Sequence, residues 1–214
     1  MEEATSVYDE TLRLYLDEIF SEDYSSRLSI LGVRSEGNEI IIPFFKEPYR
    51  MSAEKIVGPA GEQPSHSISV VLCKYLLLCP DDPPIESDWI SYRDIRDAAP
   101  FAGSFANHVE KAIAKHFAGK LTELRDSCLK LGGYSPDIRL SYDLIMQFDA
   151  LPRVPILLLF NDVDSEFPAQ SSALFERRAN RYLDVESLAI AGWHLSHWLK
   201  DGRRNIKELP GNFE

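Results

Sequence analysis

Apolar residues near the start of the chain recur with the spacing of one helix face. They follow one another at intervals of four, three and four positions: Tyr8, Leu12, Tyr15 and Ile19. This spacing predicts an amphipathic helix that ends near Phe20, and Ser6 with Asp9 forms a capping-box pattern at its beginning. The other face of this helix carries acids and is expected to face solvent.

Four further segments with apolar residues follow. The segments RLSILGV (27–33) and NEIIIPFF (38–45), joined through SEG, have turn residues and β-branched content that predict a hairpin. The run ISVVLCKYLLLC (68–79) is apolar nearly all round and longer than a typical strand, which predicts a buried helix. The segment WISYRDI (89–95) predicts a short strand.

Two helical stripes occupy the middle of the chain. The first is traced by Phe105, Val109, Ala112, Ile113, His116 and Phe117. The second is traced by Leu121, Leu124, Cys128 and Leu131. Gly132 and Gly133 then supply the stop signal expected just past a last turn. The pattern predicts two helices or one long kinked helix.

The last part of the chain combines a second hairpin with a long helix. Apolar residues alternate at 142, 144, 146 and 148, and VPILLLF (154–160) follows as a more completely buried strand, which predicts an antiparallel pair. The final helix is predicted to begin near Asp184 and to end at Gly202. Its apolar stripe is formed by Val185, Leu188, Gly192, Leu195 and Leu199.

These elements together predict an α+β fold. Strands come in hairpins and helices fall between and after them, so an antiparallel sheet with helices packed on it is expected rather than a doubly wound sheet. The 214 residues fit a single globular domain with a substantial core. The acidic helix within residues 1–24 is expected either to belong to this domain or to form a loosely docked appendage.

Charge narrows the possible partners. The formal net charge is −11, and eight acids face one base, Arg13, in the first 23 residues. Nucleic acid and anionic membrane surfaces would repel such a chain, so neither is expected as a partner. The longest apolar runs also fall short of the roughly 18 residues that a membrane span needs. A protein partner or a homodimer is compatible with the composition.

The three cysteines, Cys73, Cys79 and Cys128, indicate a reducing, cytoplasmic setting, because their number is odd and two lie in apolar surroundings. The acidic N-terminus lacks the apolar segment of a signal peptide. The chain has no CxxC pair, no glycine-rich nucleotide fingerprint, no HExxH and no GxSxG. No iron–sulfur or nucleotide cofactor is therefore predicted, and any other cofactor stays unknown.

The best candidate site is the loop NDVDSEFPAQSSALF after the buried strand. Asp162, Asp164 and Glu166 stand at every second position and would point the same way if the segment were extended. The spacing opens like a calcium loop, but Phe167 replaces the required glycine and Ala173 the final acid, which excludes an EF-hand. A looser ligand or divalent-metal site remains open. The alternative is a solvated strand end that leads into a helix capped by Ser171 or Ser172.

His194 and His197 form the second candidate site. They lie three residues apart on the predicted last helix, a spacing that can hold a metal if further ligands are supplied. The alternative is that both flank the core stripe and interact with Trp193 and Trp198 at a surface or an interface.

Three segments of the chain resemble a bacterial and archaeal family known only as a domain of unknown function. They are WISYRDI with the following PF and F, VPILLLFNDVDSEFPAQSSALFE, and YLDVESLAIAGWHLSHWL, within residues 68–199. The most specific part is D-x-E-F-P followed by L-F-[DE], here Asp164 to Pro168 and Leu174 to Glu176.

Because some relatives carry a separate iron–sulfur module, the resemblance implies an anaerobic, cytosolic and redox-associated setting. It implies no particular reaction. This chain departs from the family in two ways. It lacks that module, which argues against a cluster-dependent role. It has Lys74–Tyr75 where relatives often have His–Tyr, which argues against a necessary catalytic histidine there.

Two functions are therefore compatible with the sequence. The first is a cytosolic, non-enzymatic binding or accessory module. The second is an enzyme or a small-ligand or divalent-metal binder with a site at 162–166. A homodimer formed through the tryptophan-bearing last helix is a further possibility.

Overall fold

The computed structural model describes residues 7–21 and 24–202. The first of its two sheets is antiparallel, with strand order β1-β2-β3-β4. Its strands are β1 (Arg34–Glu36), β2 (Glu39–Phe44), β3 (Glu47–Met51) and β4 (Ile56–Val57). The predicted second arm of the first hairpin is confirmed as β2, but the predicted first arm, residues 27–33, is wrong, and β2 pairs with β1 instead. Residues Ser25–Leu31 form a helix that Gly32 ends in the left-handed conformation, at φ 71°.

The second sheet is also antiparallel and has the order β5-β8-β7-β6. Its strands are β5 (Trp89–Ser91), β6 (Leu144–Leu151), β7 (Val154–Asn161) and β8 (Gln170–Glu176). The predicted β6–β7 hairpin is confirmed, with Leu144 opposite Phe160. The expectation of a helix capped by Ser171 or Ser172 is wrong. Those residues lie in β8, which pairs with β7 on one side and with β5 on the other.

Helices cover these sheets. They are α1 (Val7–Ser21), α2 (Ser25–Leu31), α3 (His66–Leu77), α4 (Ala99–Phe105), α5 (Lys111–Phe117), α6 (Leu121–Lys130) and α7 (Val185–Asp201). A π-helical segment, Ala106–Glu110, joins α4 to α5 within the first predicted stripe. Of the two predicted alternatives, separate helices are confirmed, because α5 ends at Phe117 and α6 begins only at Leu121. The predicted start of the last helix is also confirmed, and Asp184 caps it, since the Ser187 N–H donates to Asp184 Oδ1 at 2.8 Å. The predicted capping box at Ser6 lies outside the described residues.

One buried cluster includes residues from both sheets and from each of these helices. The amphipathic helix α1 contributes Leu16 and Ile19 to this cluster. The longest helix, α7, is buried on nearly every face from Ser187 to Leu199. The α+β fold with antiparallel sheets is thus confirmed. Each helix has an apolar stripe, and the helices pack against the sheets because this packing removes the stripes from water.

The edge of β8 that β5 leaves uncovered is closed by the π-helical segment. Strand β5 pairs only with Leu174–Glu176. Beyond it, the Ala173 N–H donates to the Glu110 carboxylate at 3.2 Å, and the Ser171 hydroxyl donates to the Glu110 carbonyl at 2.6 Å. The π turn therefore brings Glu110 to a strand edge that would otherwise present unpaired backbone groups.

Tyr75 joins three parts of the fold through one buried hydroxyl. It donates to the Leu31 carbonyl at 2.6 Å and accepts the Arg153 N–H at 3.1 Å. The α2 end, helix α3 and the β6–β7 turn therefore meet at this atom. We expect Tyr75→Phe to lower the free energy of unfolding by about 1–3 kcal/mol, because two buried backbone groups lose their partner. Urea denaturation measures this change.

Tyr142→Phe is the matched control for that substitution, because Tyr142 is 40 % exposed. Its loss of a surface hydroxyl should change stability by less than about 0.5 kcal/mol. Equal urea midpoints for the two variants would contradict the role of Tyr75.

Candidate ligand-binding cleft

A cleft of about 650 Å³ opens at the end of the second sheet, where β6 begins, β7 ends and β8 begins. Its lining comes from residues 141–143, residues 161–164, Phe167, Pro168 and Gln170. We call it the acidic cleft. The loop that sequence analysis singled out thus forms one wall, and the approach to β6 forms the other.

Asp164 folds its loop back instead of extending it. Its Oδ1 accepts the N–H groups of Glu166 and Phe167, each at 2.7 Å, and its own N–H donates to the Phe167 carbonyl at 3.0 Å. These backbone donors lower the pKa of Asp164, because they stabilise the ionised carboxylate. The segment is therefore not extended, so the condition under which the three carboxylates would point the same way is not met.

Asp162 and Asp143 are held by similar bonds to backbone donors. Asp162 Oδ1 accepts the N–H groups of Gly119 at 2.6 Å and of Val163 at 2.8 Å. The Asp162 N–H in turn donates to Asp143 Oδ2 at 2.8 Å. Each of the three aspartates therefore has one carboxylate oxygen fixed by the main chain.

The set of acids at the cleft differs from the predicted one. Asp162 and Asp164 line it, whereas Glu166 is exposed outside it. Asp143 joins them because Leu144 pairs with Phe160, which brings the residue before β6 beside the end of β7. Sequence analysis missed Asp143. The predicted hairpin was the only signal for Asp143. The sequence did not specify its pairing register, so the position of Asp143 could not be predicted.

Large apolar side chains accompany these acids at the surface. Tyr142, Val163 and Phe167 line the cleft and are 40 %, 48 % and 61 % exposed. Exposed apolar residues are ordinary when scattered, but several gathered in one concavity are typical of a binding site. The loop thus combines fixed carboxylates with uncovered apolar surface.

His194 and His197 lie elsewhere, inside the core. His194 is fully buried, its Nε2 is 3.1 Å from the Ser67 hydroxyl, and its ring centroid is 4.8 Å from that of Trp198. His197 stacks on Trp193 with centroids 5.1 Å apart, and its Nδ1 is 3.2 Å from Asp201. The predicted contacts with the two tryptophans are present, but they are buried in the chain and not at a surface.

The tryptophan rings of α7 offer little surface to a second copy of the chain. Trp193 and Trp198 are 7 % and 4 % exposed within the single chain. A homodimer through this helix stays a prediction, and the two rings would contribute little to it.

No group of three or more His, Cys, Asp or Glu residues within 7–21 and 24–202 is arranged to hold a metal ion. This covers the three aspartates of the acidic cleft as well as His194 and His197. A divalent-metal site at these positions thus gains no geometric support.

Two of the three cysteines, Cys73 and Cys128, and the imidazole of His194 are deeply buried. Burial raises the pKa of Cys73 and of Cys128 to about 12, so both stay protonated thiols near neutral pH. Burial also lowers the pKa of His194 to about 3, which makes it a poor base for Ser67. The Ser67–His194 contact therefore fits a structural hydrogen bond better than a catalytic dyad.

Comparisons with known proteins identify a family but no activity. None of the helices in the described part of the chain is long and apolar enough to cross a membrane. No curated protein and no solved structure matches the chain. One family model, Domain of unknown function (DUF3786), matches residues 23–198, which includes both walls of the acidic cleft and extends well before the segments that carried the resemblance. The chain therefore belongs to this uncharacterised family.

Proposed function

We propose that this protein is a non-enzymatic binding module that recognises a protein partner through the acidic cleft. The observation that carries this proposal is the gathering of three exposed apolar side chains, Tyr142, Val163 and Phe167, in one concave site. Partner binding would remove their surface from water, which is the main driving force of protein association.

The chemistry of the cleft favours binding over turnover. Among the described residues, its lining includes carboxylates, amides and the hydroxyls of Ser141 and Tyr142, but no histidine, cysteine or lysine that could activate a hydroxyl or serve as a neutral-pH base. The pKa of Asp164 is lowered, whereas a carboxyl that acts as a general acid or base near pH 7 needs a raised pKa.

The scaffold behind the cleft suits recognition. Strand β7 is buried from Val154 to Phe160 and is paired on both sides, so the loop that follows it starts from a fixed position. The Gly119 N–H donates to Asp162 and the Asp162 N–H donates to Asp143, so both walls are connected to neighbouring elements. A preformed site loses less conformational entropy when a partner binds.

Site-specific cross-linking tests the proposal. A photoreactive amino acid replaces Phe167, or, as the control, Leu14, which is 63 % exposed on α1. Irradiation in cells that naturally express the protein should give a discrete adduct from position 167 and none from position 14. The adduct partner is then purified, and its affinity for the wild type is measured by calorimetry.

Tyr142→Ser combined with Phe167→Ser should weaken that affinity by about tenfold or more, since buried aromatic anchors dominate interfaces. Equal adducts from both positions, or an affinity unchanged by the double substitution, would overturn the proposal. An activity that depends on Asp162 or Asp164 would instead favour the enzymatic alternative.

A further inference from the structure

We infer that the partner docks with a segment that carries several Lys or Arg side chains next to an apolar residue. This inference rests on the proposed binding function and specifies the chemistry of the partner. The exposed side chains of Tyr142, Val163 and Phe167 supply apolar contacts at the cleft, and the charge beside them selects the occupant.

Charge complementarity is the first argument. Asp143, Asp162 and Asp164 line the cleft, and no Lys, Arg or His in the described part of the chain is among its lining residues. The whole chain carries a formal charge of −11, so long-range attraction also favours a basic partner over an acidic one. An acidic partner would meet like charge here, whereas a basic one would be attracted and oriented.

The spacing of the carboxylates distinguishes a basic segment from a metal ion. No three acidic, histidine or cysteine side chains in the described residues are arranged to share one ion, and this includes the three aspartates. This arrangement therefore does not favour one metal ion bound by all three. A chain with several separate positive charges can pair with each carboxylate in its own place.

The apolar neighbours favour the same occupant. Phe167 and Tyr142 present exposed aromatic surface beside the aspartates. Lys and Arg side chains combine an apolar stem with a charged end, so they can cover such rings while their charges reach the acids. An apolar residue between two basic ones would complete the contact with Val163.

Fluorescence anisotropy with a labelled synthetic peptide tests this inference. The peptide has ten residues, with three arginines interleaved with leucines and glycines, and the reference peptide has glutamates in place of the arginines. We expect saturable binding of the arginine peptide only. Binding should weaken as sodium chloride rises from 50 to 300 mM, because exposed charges are screened by salt.

Three protein variants localise the binding. The triple variant Asp143→Asn, Asp162→Asn and Asp164→Asn keeps an oxygen acceptor at each position and should bind about tenfold more weakly. The variant Glu10→Gln, Asp17→Asn and Glu18→Gln changes the net charge equally on the exposed face of α1, and it should bind like the wild type. Glu166→Gln, in the same loop but outside the cleft, should also leave binding unchanged.

The outcomes separate this inference from the proposed function. Equal weakening by the cleft and α1 variants would mean unspecific attraction and would overturn the inference. Binding of Ca²⁺, Mg²⁺ or Mn²⁺ alone that the triple asparagine variant abolishes would overturn it in favour of a metal site. If the cross-linked partner depends on Phe167 but binds the triple asparagine variant normally, the inference fails and the binding function stands. If position 167 gives no specific adduct, the binding function itself fails.

Discussion

Lowering the pH from 6.5 to about 3 should reduce the stability of this protein by about 4–5 kcal/mol through His194 alone. Burial, and secondarily the adjacent His197, lowers the pKa of His194 from 6.5 to about 3. The unfolded chain therefore takes up a proton that the folded chain excludes. The stabilisation is complete above pH 6.5 and is lost as the pH falls toward 3, at up to about 1.4 kcal/mol per pH unit.

Urea denaturation of the wild type and of His194→Gln between pH 7.5 and 4.5 measures this effect. Glutamine does not titrate and can still hydrogen-bond to the Ser67 hydroxyl that His194 contacts at 3.1 Å. Carboxylates titrate in both proteins, so the difference between the two curves isolates the imidazole. The variant should lose less stability than the wild type below pH 6.5. Parallel curves would show that His194 does not control acid stability.

Gly192→Ala should destabilise the fold by about 1–3 kcal/mol, although alanine is the better helix former. A Cβ at this position of α7 would lie 2.4 Å from Cε2 and 3.0 Å from Cζ of Phe105. Phe105 cannot retreat easily, because it is 1 % exposed and stacks on Tyr92 with ring centroids 4.2 Å apart. The free-energy cost of this overlap should exceed the roughly 1 kcal/mol that alanine gains in helix propensity.

Gly103→Ala is the matched control, because Gly103 lies in α4 close to Phe105 in sequence, and a Cβ added there would have no described atom within 4 Å. It should stabilise the protein by about 0.5–1 kcal/mol. Thermal unfolding compares the two variants, and Phe105→Leu should partly rescue Gly192→Ala if the clash is real. Shifts of the same sign for both glycines would refute the close contact.

The elements that were predicted correctly are those with long and unambiguous local patterns. The alternation before Phe148 and the apolar run after Arg153 specified the β6–β7 hairpin, because one face of β6 and both faces of β7 are buried. The two ends of α7 were predicted correctly because Asp184 is a favourable N-cap residue and Gly202 a favourable residue just past the helix end. In each case the secondary structure that the local sequence pattern favours is also the one that the tertiary packing requires.

The errors concern short segments whose structure depends on neighbours. Residues 27–33 have strand-like composition, but Ser25–Leu31 form a helix whose Ile30 and Leu31 carbonyls accept bonds from Arg153 and Tyr75. Residues Gln170–Glu176 become a strand because β7 and β5 pair with them from two sides. These pairing partners are distant in sequence, so a local sequence pattern cannot predict the contacts with them.

The sequence by itself determined the α+β class, the main helices and the β6–β7 hairpin of this protein, since hydrophobic periodicity reports which face of each segment is buried. It also indicated the loop that forms one wall of the acidic cleft. Only the tertiary structure decided which acids meet there, because strand register brings Asp143 to Asp162 while the turn at Asp164 leaves Glu166 outside. It also decided that His194 is a core residue, since burial depends on packing from α3 and β2 that no single segment encodes.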